Sequence, residues 1–244
     1  MLPWIRGWSD VERTTRANVR LGALLAFVAG ATNAGGFLAV GQYTSHMTGV
    51  VSSLADNLVL GHQGLVLAAL ASLAAFVAGA MTTAILVNWG LRHQLRGAYA
   101  VPLLLEAVAL LAFGVFGGAI RGTTPLLLPL TLALCFIMGL QNAVITKISH
   151  AEIRTTHVTG LVTDVGIELG KLLYVSPANH PRPVRANLQR LRVHALLVGC
   201  FLAGGVLGAL GFQHAGFVTA VPLAAAVGLV ALRPVLHDVR MRAA

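Results

Sequence analysis

Between Arg192 and Arg233 the chain runs for 40 residues without an Asp, Glu, Lys or Arg, and the stretches 21–55 and 57–91 are uncharged over 35 residues each. One bilayer crossing takes roughly 20 apolar residues, so each stretch holds the length of more than one crossing. Only 10% of the 244 residues are charged and 57% are hydrophobic, whereas soluble domains carry about 25% charge. A water-soluble globule is excluded. The expected fold class is an all-α integral membrane protein.

The net charge of +9 does not indicate a nucleic-acid partner. The basic residues flank apolar segments instead of gathering on one polar face, which is how orientation signals are distributed. Cys135 and Cys200 lie inside apolar stretches and offer neither CxxC spacing nor a disulfide framework. Residues 1–20 hold Arg6, Arg13, Arg16 and Arg20 and no small-residue cleavage site, so no cleavable leader is expected. With Trp4, Ile5 and Trp8 they read as a cytoplasmic amphipathic segment at the lipid interface.

Long apolar segments fall at about 21–41, 64–89, 98–120, 125–146, 193–212 and 215–233, with shorter mixed segments at about 46–61 and 157–173. If the short segments do not cross and the N-terminus is cytoplasmic, 16 basic residues lie inside and only Arg121 outside; if both cross, the split falls to 13 and 4. The positive-inside rule favours about six transmembrane helices plus two short re-entrant or broken helices. Both termini are then cytoplasmic, in a multi-pass membrane protein. The loop 174–192, rich in proline and arginine, reads chiefly as an orientation signal.

The sequence also repeats. Phe27-Val-Ala-Gly30-Ala-Thr-Asn33-Ala34 matches Phe136-Ile-Met-Gly139-Leu-Gln-Asn142-Ala143 at an offset of 109, and Thr44-Ser45-His46-Met47-Thr48-Gly49 matches Thr155-Thr156-His157-Val158-Thr159-Gly160 at an offset of 111. Three crossings per half make the second half enter upside-down, giving two inverted-topology repeats. Such repeats, interrupted at matching places, are a signature of transporters. The expected division is a segment 1–20, a first repeat 21–120, a second repeat 121–233 and a cytoplasmic tail 234–244. Gly114, Gly117, Gly118, Gly204, Gly205, Gly208 and Gly211 read as close helix packing, compatible with a homo-oligomer.

Candidate site residues follow from the cost of polar groups in lipid. Thr48 and Thr159 are expected to cap short helices, and Gly49 and Gly160 to permit breaks in the backbone. Half-helix starts inside the membrane offer free amides and a positive dipole end, which suits an anion or polar solute. His46 and His157 would gate or contact that solute. Asn33, Gln141, Asn142 and Thr155 complete the substrate-binding set. Asp56, Asp164 and Glu168 are coupling candidates. Glu168 has Lys171 three residues on to neutralise it, Asp164 has no evident local partner, and Glu106, early in its span after Pro102, ranks below them.

No cofactor, resident metal or catalytic residue is expected. There is no GxxxxGK[ST], and neither GxSxG, HExxH, HxxxH nor CxxC occurs. The expected function is a secondary transporter or channel for a small polar or anionic solute, working by rocking of one repeat against the other. The expected partners are the lipid bilayer and that solute. A membrane-embedded metal protein or enzyme using His46 and His157 is one alternative. A non-catalytic assembly factor is another.

At Ala29-Gly30-Ala31-Thr32-Asn33-Ala34, His46-Met47-Thr48-Gly49, Gln141-Asn142-Ala143 and Thr155-Thr156-His157-Val158-Thr159-Gly160, the chain resembles the YoaK-like family of bacterial membrane proteins, a domain of unknown function. The resemblance covers about residues 20–235 and implies a multi-span protein with permease activity. Similar members often carry Asp where this chain has Asn33 and Asn where it has Val50.

Overall fold

A computed structural model describes residues 8–11, 13–120, 127–149, 153–174 and 184–243. Among them the regular structure is entirely helical: α1 (Thr15–Val40), α2 (Met47–Leu60), α3 (Gln63–Arg92), α4 (Ala100–Phe116), α5 (Leu127–Ile148), α6 (Val158–Leu173), α7 (Leu188–Ala215) and α8 (Ala220–Ala243). Four segments are long and apolar enough to cross a bilayer: Thr15–Leu38, Gln63–Arg92, Leu127–Ile148 and Leu188–Arg242, the last containing both α7 and α8. Gly216, at φ 64°, divides that last segment in a backbone conformation that suits glycine. Val59, Leu173, Leu67 and Leu202 are among the many large apolar side chains left on the outside. An apolar exterior of that extent suits lipid, not water. The chain is a membrane protein.

Two close helix pairs organise the bundle, α1 on α7 and α3 on α5. Their closeness comes from a motif, Phe-x-x-Gly, at Phe27–Gly30, Phe76–Gly79, Phe136–Gly139 and Phe201–Gly204. A Cβ on Gly30 would stand 2.0 Å from the carbonyl oxygen of Phe201, and one on Gly204 would stand 2.0 Å from that of Phe27. The second pair repeats this: Gly79 meets the Phe136 carbonyl and Gly139 the Phe76 carbonyl, each at 2.1 Å. Backbones that close require a residue without a side chain. Gly22 beside Leu197, Gly204 beside Phe27 and Gly208 beside Ala31 make α1 and α7 parallel. Thr83 Oγ1 donating to the Leu140 carbonyl and Lys147 Nζ donating to Asn88 Oδ1 make α3 and α5 parallel as well.

The pairs join antiparallel through α1 and α5. Gln141 Nε2 donates to the Leu25 carbonyl, and Gly36 faces Leu134, which sets Gly30 level with the Phe136–Gly139 turn. The four close-contact glycines thus share one level. α4 and α8 pack antiparallel, with Gly97 by Pro234, Gly228 by Ala107 and Gly114 by Val221. Every described Lys and Arg lies toward the end where α1, α4 and α7 begin.

Several expected boundaries shift. The first helix begins at Thr15, capped by Thr14, whose hydroxyl accepts from the Ala17 amide at 3.2 Å. The helix α8 continues through Pro234 to Ala243, across the segment expected as a tail. Trp4 and Ile5 of the expected interfacial segment lie outside the described residues, as do Arg121 and positions 175–183 of the basic loop. Trp8 and Ser9 are described, and both are buried. Ser9 Oγ donates to the Val230 carbonyl at 2.8 Å, so this stretch packs on α8 instead of lying on a lipid surface.

Candidate functional site

After α1 the chain turns at Gly41, in the left-handed region at φ 74°, and doubles back. Asn33 stands seven residues before the end of α1, hence about 10 Å inside it. Its Oδ1 accepts from the Ser45 amide at 3.2 Å and from the Ser45 hydroxyl at 3.0 Å. α2 therefore starts deep in the bundle, within about one turn of the glycine level, and runs outward beside α3. The second half does the same from the opposite end. Asn142 Oδ1 accepts from Thr156 Oγ1 at 2.5 Å, holding the start of α6 at matching depth.

The capping of these two starts differs from expectation. His46 and His157 occupy the cap positions and neither makes a capping bond, while Thr48 and Thr159 sit second in their helices and cap nothing. Among the described residues, the first turns of α2 and α6 therefore have no side-chain cap for their free amides. By contrast α7 is capped by Asn187, whose side chain accepts from the Arg190 amide at 3.0 Å. Among the described residues, buried hydroxyls without a hydrogen-bond partner lie just upstream at the matched positions Thr44 and Thr155, and the matched Thr32 Oγ1 and Gln141 Oε1 are unpartnered as well.

The halves differ in their cations and aromatics. A cavity of about 250 Å³ opens at the start of α2, lined by Gln42, Tyr43, His46, Gly49, Ser53 and, from α3, Leu65 among others. The His46 ring lies over the first turn, where a Cβ on Gly49 would stand 2.3 Å from its Cδ2. At Gly160 the nearest neighbour is the Arg154 guanidinium, 3.8 Å from such a Cβ. Arg154 has no carboxylate partner among the described residues. A guanidinium beside a positive helix start repels it unless an anion lies between them.

The coupling candidates separate by environment. Asp56 is exposed near the far end of α2. Glu168 is committed: Oε1 accepts from Lys171 Nζ at 2.8 Å and Oε2 from the Asn187 amide at 2.7 Å. Asp164 has the partner that spacing along one helix could not show, since its Oδ2 lies 3.2 Å from Arg190 Nη2 and 3.6 Å from His194 Nδ1, both on α7. These contacts clasp α6 to α7. Asp164→Asn is expected to lower the melting temperature of the purified protein at low salt, and to do so much less at high salt, because partly exposed pairs are screened. A deficit independent of ionic strength would remove the ion-pair account.

The structure thus brings Asn33 together with the His46 start and Asn142 with the His157 start. It sends Gln141 instead to α1, and Asp56 away from the helix start. Sequence reasoning missed Ser45, Thr156 and Arg154. The first two were visible as the hydroxyl residues just before each His. Cys135 and Cys200 are free thiols, and no group of three or more His, Cys, Asp or Glu suited to a metal ion occurs among the described residues.

Residues 21–233 match the family described as "Protein of unknown function (DUF1275)", and the chain belongs to that family. No curated protein and no solved structure matches it at a significant level.

Proposed function

We propose that this DUF1275 member is a transporter or channel for a small anionic solute, built from two inverted repeats with six crossings and two half-helices, α2 and α6. The observation that carries this reading is the pair of uncapped helix starts, entering from opposite ends and each tied by an asparagine near one common level. In a bilayer every backbone amide must find a partner. Amides left free at that depth are served by water or by a solute, which makes a path for one. Two positive dipole ends and Arg154 select negative charge. The gathering of described basic residues at one end fits that end as cytoplasmic.

The moving parts differ from the expectation of one repeat rocking on the other. Among the described residues, the closest glycine-to-backbone approaches bind the first helix of each half to the third helix of the other half. A rigid rotation of the halves would tear both Phe-x-x-Gly crossings. In the proposed cycle the bodies are α1 with α6 and α7, and α2 with α3 and α5, sliding along the less extensive α1–α5 contact. Each body carries one half-helix.

A thermal-shift screen of the purified protein tests this against small inorganic and carboxylate anions, neutral polyols and divalent metals. Stabilisation by an anion, lost in Arg154→Gln, is the expected result. It should be followed by uptake of that anion into proteoliposomes holding the wild-type chain and not the variant. Stabilisation by a divalent metal alone, lost in His46→Ala, would replace the reading with a metal protein. No response to any solute would favour an assembly factor.

A further inference from the structure

Among the described residues, Glu106 is the one buried carboxyl group with neither a hydrogen-bond nor an ion-pair partner. It is 0% exposed, and both carboxyl oxygens are unpartnered among the described residues. It lies on α4, eight residues beyond Ala98, which packs against Gly90 of α3; that is about 12 Å further in. The antiparallel register with α8 sets it level with Gly228–Val230. Among the described residues no element packed on α4 supplies a charge at that level; Arg13, over the Tyr99 ring, lies nearer the basic end. α8 has no titratable residue before Arg233, α5 has only Cys135 before Lys147, and α3 has none between Gln63 and Leu91. Near the basic end, Asp10 is engaged with Arg96 at 3.3 Å. An ionised carboxylate with no partner is very costly in such a place.

The matched position carries no acid. Ala100-Val101-Pro102-Leu103 recurs as Ala220-Val221-Pro222-Leu223, at an offset of 120. That alignment pairs Glu106 with Ala226. The asparagines, the hydroxyls and histidines at the half-helix starts and the close-contact glycines all come in matched pairs, as structural devices in a repeat would. Glu106 comes alone.

We infer that Glu106 is a proton-binding site, taking up a proton as its carboxyl is buried between α4 and α8 and releasing it when that packing opens, so that anion movement is linked to protons. The link rests on the transport reading; the proton site does not. The step is the reversible addition of one proton to one carboxylate oxygen, with no other bond changed.

Infrared difference spectra of the reconstituted wild type, stepped from mildly acidic to alkaline buffer, test the site itself. The expected result is a protonated-carboxyl C=O band that fades with alkalinisation and is missing in both Glu106→Gln and Glu106→Ala. A band present in those variants, or one that no pH step moves, would overturn the proposal. Melting temperatures at or above wild type in Glu106→Ala, which copies Ala226, would exclude a merely structural role; a large fall would establish one. For the link, a trapped pH dye in proteoliposomes should report proton entry when the stabilising anion is added to wild type, and none with Glu106→Gln. Anion uptake without proton entry would refute the link alone. Absence of any anion uptake would refute transport, leaving the infrared result to decide on the site.

Discussion

Gly204→Ala should lower the melting temperature sharply while Gly205→Ala, its immediate neighbour, leaves it near wild type. The added methyl is the same and the helix is the same. At Gly204 it would stand 2.0 Å from the Phe27 carbonyl oxygen, whereas at Gly205 its nearest neighbour is the Gly30 oxygen at 3.8 Å, an ordinary contact. A side-chain tip can rotate away from a new methyl, but a backbone carbonyl moves only with its helix. Relief would separate α1 from α7 along the crossing and forfeit its packing. Overpacking of this kind costs about 1–3 kcal/mol and sometimes more, against which alanine returns about 1 kcal/mol of helix propensity. Gly30→Ala, Gly79→Ala and Gly139→Ala should behave like Gly204→Ala, since each would meet a backbone oxygen at 2.0–2.1 Å. Gly199→Ala, with nothing within 4 Å, should be neutral or slightly stabilising. Equal melting of the Gly204 and Gly205 variants would mean the helices do not cross this closely.

The same motif marks where sequence reading stops. Phe27–Gly30 and Phe136–Gly139 are legible as a repeat because the segments that follow them are of nearly equal length, so the offsets of 109 and 111 almost coincide. Phe76–Gly79 and Phe201–Gly204 repeat at 125, and Ala100–Leu103 and Ala220–Leu223 at 120. Between α2 and α3 lie only Gly61 and His62, but between α6 and α7 lie residues 174–187. That insertion shifts the register and hides half of the repeat from a fixed-offset comparison. Uncharged runs show that helices are present; they do not show which helix meets which. Asp164 looked unpartnered because Arg190 and His194 are distant along the chain. Glu106 ranks low from the sequence because it falls early in its span, yet Trp8 and Ser9 lie buried at that end.

The two asparagines that anchor the half-helices should respond differently to the same change. Asn33 works only as an acceptor, both Ser45 bonds ending on Oδ1. A carboxylate accepts the same two bonds, so Asn33→Asp should keep α2 seated. Asn142 accepts from Thr156 but also donates, its Nδ2 lying 2.8 Å from the Met138 carbonyl. Asn142→Asp would bring a carboxylate oxygen against that carbonyl, with one donor instead of two and in a buried position. Unpaired buried polar groups cost about 1–3 kcal/mol, and more when charged. Asn142→Asp should therefore melt well below both wild type and Asn33→Asp, and its uptake of any anion found in the screen should fall at least about tenfold, the factor that 1.4 kcal/mol corresponds to. Asn33→Leu and Asn142→Leu remove the acceptor in both halves and should be alike. Their equality is the control: if the leucine variants matched and the aspartate variants matched too, the Met138 bond would play no part, and the two half-helices would be anchored by acceptance alone.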